Sequence, residues 1–159
     1  MARTVFSGPI KAGTNRYPQY QNVGTTMLFQ DVVLNVTSGL TSSQTLYIPA
    51  GCQILEIIVD TTVAYNAGTS TTVTIGNLST AAQYAGGVSA QTTGRVYPTF
   101  TAAQLANLQS TTSDVYGPTN IASSAIVCTA TSVGTQPTTG QVYVSILYLQ
   151  NDTNAVTSN

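Results

Sequence analysis

Across residues 25–150 the apolar side chains recur at every second position, and this period limits the fold more than any other feature. In 26–36, Leu28, Val32, Leu34 and Val36 fall on one parity, with Gln30 as the polar exception. In 52–63, Leu55, Ile57, Val59 and Val63 share a face opposite Glu56, Asp60 and Thr62. In 141–150, Val142, Val144, Ile146 and Tyr148 line one face. Side chains alternate across an extended chain, so each run predicts a half-buried strand. Shorter runs at 45–48, 71–75 and 123–131 read the same way. Turn residues separate them at Ser38-Gly39, Pro49-Ala-Gly51, Asn66-Ala-Gly68, Gly76-Asn77, Gly117-Pro118 and Pro137-Thr-Thr-Gly140. Six or more short, mostly antiparallel strands predict an all-β chain, a β-sandwich or jelly roll.

Two tetrapeptides interrupt the strand pattern. Thr80-Ala-Ala-Gln83 and Thr101-Ala-Ala-Gln104 each fit a capping box, in which Thr caps the third amide and Gln reaches back. The second, flanked by Phe100 and Leu105, predicts a short helix over about 102–108. The first predicts another, cut off by Gly86-Gly87. One or two short helices in loops are therefore expected.

The first 24 residues stand apart as an extended arm. They hold three of the four cations, Arg3, Lys11 and Arg16, together with Pro9, Pro18 and the aromatics Phe6, Tyr17 and Tyr20. Neither strand nor helix period survives there. Aromatic residues are uncommon in chains that stay disordered, so this arm is expected to order on a neighbour. The sequence divides into an arm at 1–24, a β-sandwich domain at 25–150 and a polar tail at 151–159.

Charge excludes several function classes. Four Lys plus Arg against five Asp plus Glu give a net charge of −1, too few cations for the phosphate contacts of nucleic-acid binding or a polybasic membrane patch. No apolar run approaches the roughly 20 residues of a membrane-spanning helix. The opening has no apolar stretch or cleavage site of a secretory signal, so synthesis in a cytoplasm is expected. With 28 Thr, 14 Ser, 12 Gln and 10 Asn, the exposed faces must be largely hydroxyl and amide. Such faces are suited to permanent association, since covering them desolvates few ions.

Chemistry finds little to work with. There is no His, so imidazole catalysis and His metal sites are absent. Glu56 and Asp60 lie four residues apart on one strand face, about 13 Å, which exceeds the spacing of glycosidase carboxylates. Asp31 is the acid that would approach them from another strand. Cys52 and Cys128 form no CxxC motif and have no base beside them, so two free, buried thiols are expected. Arg95 reads as a paired loop residue. Neither an enzyme, a metal site nor a cofactor is expected.

The segment Val5-Phe-Ser-Gly-Pro-Ile-Lys-Ala-Gly-Thr14, then Asn22-Val-Gly24 and a strand ending near Gln30, resembles small structural proteins of tailed bacteriophages. So do Ile48-Pro-Ala-Gly51, Val63-Ala-Tyr-Asn-Ala-Gly-Thr69, Val73-Thr-Ile-Gly76 and Gly94-Arg95. The resemblance covers about the first two-thirds of the chain. It implies a capsid decoration, or cement, protein. Such a protein would be made in the bacterial cytoplasm, sit on the outside of the head and tie neighbouring major capsid proteins together. A homo-oligomer, with a trimer favoured, is part of what the resemblance implies. By the same analogy the arm residues Arg3, Phe6, Ile10, Lys11, Arg16, Tyr17 and Tyr20 would form the clamp. The alternative is a receptor- or glycan-binding fibre or tail module, for which Tyr65, Tyr84 and Tyr116 are the candidate exposed aromatics. A tail-tube or head–tail connector protein is a third reading.

Overall fold

In a computed structural model, the fold is described for residues 26–48, 52–108 and 124–150. There are eight strands among the described residues, and all but β5 and β6 carry the period-two runs: β1 (Thr26–Asn35), β2 (Thr41–Ile48), β3 (Cys52–Val63), β4 (Ser70–Gly76), β5 (Ala85–Ser89), β6 (Gly94–Val96), β7 (Ser124–Val133) and β8 (Gln141–Gln150). One helix, α1 (Ala102–Leu108), lies between β6 and β7. The strands form two antiparallel four-stranded sheets, sheet A ordered β1-β8-β3-β6 and sheet B ordered β2-β7-β4-β5. Consecutive strands change sheet at every connection except the β4–β5 hairpin, the winding of an eight-stranded jelly roll.

The core is the apolar parity of each strand turned between the sheets. Val142, Val144, Ile146 and Tyr148 of β8 face Ile75 and Val73 of β4 and Ile126, Cys128 and Ala130 of β7 across one buried cluster. β8 sits between β1 and β3, so the last strand of the domain is central to its sheet.

β3 departs from the sequence expectation. Its pairing with β8 shifts register between Ile54 and Glu56, and again between Thr61 and Val63. Each inserted residue reverses the parity that follows. Cys52 and Ile54 point inward before the first shift; Ile57, Val59 and Thr61 do so after it. Leu55 and Val63, expected in the core, are therefore exposed.

The two capping boxes part ways as well. At α1 the box forms reciprocally: Gln104 N donates to Thr101 Oγ1 at 3.2 Å, and Thr101 N donates to Gln104 Oε1 at 2.9 Å. At Thr80 no helix follows. Asn77 Oδ1 accepts the Ser79 and Thr80 amides at 2.8 and 2.6 Å, and Tyr84 N donates to Ile75 O at 3.0 Å. Those bonds draw the chain back along β4 into β5, and the helix expected there is replaced by a turn.

Tyr65 closes one end of the sandwich. Its hydroxyl donates to Leu34 O at 3.0 Å and its amide to Ala90 O at 2.9 Å. Beside it Asn66 ties the β3–β4 loop to the β7–β8 loop, its Oδ1 accepting from the Thr138 and Thr139 amides at 2.8 and 3.0 Å. A buried hydroxyl pair, Thr71 Oγ1 and Ser132 Oγ at 2.8 Å, satisfies the two polar side chains that β4 and β7 turn inward.

Candidate functional site

The outward faces of the two sheets differ in chemistry. On sheet B the outward register rows include Thr41–Thr131–Thr72–Ser89 and Ser43–Thr129–Thr74, and continue through Thr45–Val127–Gly76 and Tyr47–Ala125, where the Tyr47 ring is exposed. Ser43 Oγ and Thr129 Oγ1 lie 2.9 Å apart, so these hydroxyls partly satisfy one another along the surface. Among the described residues this face has no formal charge, and its Thr41 and Ser43 rows carry the hydroxyls that composition requires.

The outer face of sheet A is apolar and acidic. Its rows, read across β1, β8 and β3, are Met27–Leu149–Gln53, Phe29–Leu147–Glu56, Asp31–Ser145–Ile58 and Val33–Tyr143–Asp60. Met27 is 60% and Phe29 56% exposed, with Leu147 and Leu149 half-buried beside them. All three acids among the described residues, Asp31, Glu56 and Asp60, lie on this face. Arg95 of β6 pairs with Asp60 through Nη2 and Oδ2 at 3.1 Å, and the Asp60 and Tyr97 side chains hold its guanidinium above its ordinary pKa. Arg95 is thus a paired residue on a short edge strand and not in a loop.

Glu56 and Asp60 face outward on the same strand, as expected. β8 lies between them and Asp31, which is level with Ile58, so the third acid stands about 10 Å or more to the side. Three carboxylates so dispersed offer no shared proton and no shared ion. Among the described residues no group of three His, Cys, Asp or Glu side chains is placed to hold a metal. No helix among them is long and apolar enough to cross a membrane.

Both thiols are free and buried, Cys52 on sheet A and Cys128 on sheet B. Burial pushes the Cys52 thiol up, and the Cys128 thiol up to about 12 from 9.0. A thiol that stays protonated and enclosed is a poor nucleophile. Native protein at pH 8 is therefore expected to take up iodoacetamide at neither cysteine, while protein in 6–8 M urea alkylates both (order-of-magnitude denaturant range). Mass spectrometry reads the difference; rapid native labelling would contradict the enclosed core. Because the folded Cys128 pKa is raised, its contribution to stability is complete below about pH 9 and is lost as pH rises toward about 12.

The arm residues Arg3, Phe6, Ile10, Lys11, Arg16, Tyr17 and Tyr20 lie outside the described residues, as do the tail and Tyr116. Of the aromatics considered for sugar stacking, Tyr65 and Tyr84 are buried in the core, each 3% exposed. Tyr65 is taken by Leu34 O, so neither ring can serve as a stacking platform on the surface. The apolar face of sheet A is absent from the sequence expectations. Its signal is present, however: Met27-Leu28-Phe29 and Ile146-Leu147-Tyr148-Leu149 are apolar on both parities, where a half-solvated strand would alternate.

Jelly rolls serve in viral capsids and in lectins alike, so the fold by itself does not choose between the two. No family model and no curated protein matches this chain. Two solved capsids are similar in backbone. A chain of the cyanophage Pam1 capsid asymmetric unit matches at 17% identity and a TM-score of 0.49, covering 90% of this chain and 97% of that one. A chain of the acid-stable capsid of Helicobacter pylori bacteriophage KHP30 matches at 10% identity and a TM-score of 0.41, covering 80% and 94%. Neither likeness carries an argument about what this chain does.

Proposed function

We propose that this chain is a non-enzymatic structural protein of a tailed-phage particle, one that binds the outside of the head and cements neighbouring major capsid proteins. The observation that carries the proposal is the outer face of sheet A. A freely diffusing protein seldom keeps contiguous apolar rows such as Met27–Leu149 and Phe29–Leu147 in water, and a protein held in an assembly covers them. The nearly uncharged opposite face fits a particle component that relies on its neighbours for solubility. The resemblance of the arm and the 48–76 segments to small phage structural proteins points to the particle. The arm residues Arg3, Phe6, Ile10, Lys11, Arg16, Tyr17 and Tyr20 act as the clamp to neighbouring subunits, and the protein acts as a homo-oligomer, with a trimer favoured.

Cementing of this kind works by mass action. A ligand that binds the assembled lattice and not its free subunits stabilises the lattice by its binding free energy, repeated at every site. The test is the copy number of this chain per purified particle, by quantitative mass spectrometry against the major capsid protein. A ratio near that of the major capsid protein is expected. Deleting residues 1–24 is then expected to abolish binding to heads. A ratio many times smaller, or unchanged binding after the deletion, overturns the proposal.

A further inference from the structure

The outer face of sheet A needs a partner with apolar side chains and positive charge, and the chain's own N-terminus has both. We infer that the N-terminal segment of one copy, residues 1–25, docks on the outer face of sheet A of a second copy. This deepens the clamp reading by naming what the clamp grips.

The argument begins with charge. Asp31, Glu56 and Asp60 bring three carboxylates to the face, and Arg95 offsets only one of them. Two such faces packed together would enclose six carboxylates against two guanidiniums, an arrangement that desolvation and repulsion both oppose. The occupant is therefore cationic. Of the four cations in the chain, the three other than Arg95 lie within residues 1–16, and residues 1–25 contain no acid. Spaced among those cations are Phe6, Ile10, Tyr17 and Tyr20, suited to the rows of Met27, Phe29, Leu147 and Leu149.

Length and attachment choose the source. The segment joins the sandwich at Thr26, which pairs with Gln150 at one end of the face. Among the described residues β1 is the edge strand of its sheet. Folded back on its own sheet as an extended chain, the segment would match the ten residues of β1 with residues 16–25. In that register Arg16 would stand level with Asn35, past the levels of Glu56, Asp31 and Asp60, and Lys11 and Arg3 would run farther on. Arriving from a neighbour, with up to about 80–90 Å of extended chain, the segment can bring Lys11 and Arg16 onto the face together, since both fall within one ten-residue span. The segment that leaves one copy would then fill the face of the next.

The experiment is sedimentation velocity on the full chain across about 1–100 µM (a range chosen to bracket ordinary association constants). Wild type is expected to associate, and deletion of residues 2–25 to leave a monomer. Asp31→Lys with Glu56→Lys reverses the face, and Lys11→Glu with Arg16→Glu reverses the arm. Either pair is expected to weaken association at least about tenfold. Mixing the two variants makes both cross pairings complementary, the unaltered arm on the unaltered face and the reversed arm on the reversed face, and is expected to yield a heterodimer, which an arm folded on its own copy cannot do. Asp31 and Glu56 lie outside the core, and an unchanged thermal midpoint checks that each variant folds. A wild-type monomer throughout the range, association that survives the deletion, or a mixture that stays monomeric overturns the inference. Head binding is scored separately. Copies that link through their arms yet ignore heads retire the cementing proposal alone, and monomers that still cement heads retire the arm exchange alone.

Discussion

Replacing Gly140 with alanine is expected to remove about 3–5 kcal/mol of stability, a large part of the roughly 5–15 kcal/mol that holds a domain of this size. Gly140 has φ = +154°, a conformation that L side chains rarely adopt. A Cβ there would press into the Tyr65 ring, against Cγ and 2.5 Å from Cδ2. The ring cannot step aside, because its hydroxyl is bonded to Leu34 O and its own backbone to Ala90 O. The clash would spread into β1, the β3–β4 loop and the end of β5, which Tyr65 ties together. Gly39 provides the control: an added Cβ there meets nothing within 4 Å, so Gly39→Ala should change stability by less than about 0.5 kcal/mol. Urea unfolding followed by far-ultraviolet circular dichroism measures both. Equal midpoints for the two variants would remove Tyr65 and Gly140 from the role given to them here.

Ile146→Ala carries the second large effect. Ile146 is fully buried in β8, opposite Gln30 of β1 and Ile57 of β3, between the two longest ladders of sheet A. Truncating a buried Ile to Ala costs about 2–5 kcal/mol through lost burial and the cavity left behind. Leu147, the next residue, points the other way into the apolar outer face. Leu147→Ala is expected to cost the monomer less than about 1 kcal/mol while weakening association. The pair tests the parity of β8 and the purpose of its outer side together. Comparable destabilisation from both variants would mean that Leu147 belongs to the core, and the exposed-face argument would fall with it.

What was readable in the sequence follows how local each signal is. β8 and β7 announced themselves because every second residue is apolar over a long run, and α1 because its Thr and Gln satisfy one another within four residues. The outward turn of Leu55 and Val63 is not legible in the sequence, because a bulge is set by pairing with β8, which a single strand does not display. β5 and β6 carried no readable period, being five and three residues long and holding three glycines between them. Thr80-Ala-Ala-Gln83 had the same local signal as α1 and became a turn, since Asn77 took the Thr80 amide that Gln83 would have paired with.

For the candidate site the division is similar. The sequence by itself determined an all-β chain, a first stretch of 24 residues holding three of the four cations, and a composition low in charge and without histidine. Those properties depend on composition and on neighbours along the chain. Only the tertiary structure decided that Met27, Phe29, Leu147 and Leu149 form one surface, that Asp31, Glu56 and Asp60 share it, and that Tyr65 and Tyr84 are withdrawn from solvent. Each of those facts depends on which strands lie side by side. In a jelly roll that is set by long-range pairing, with β8 placed between β1 and β3, and no local pattern records it.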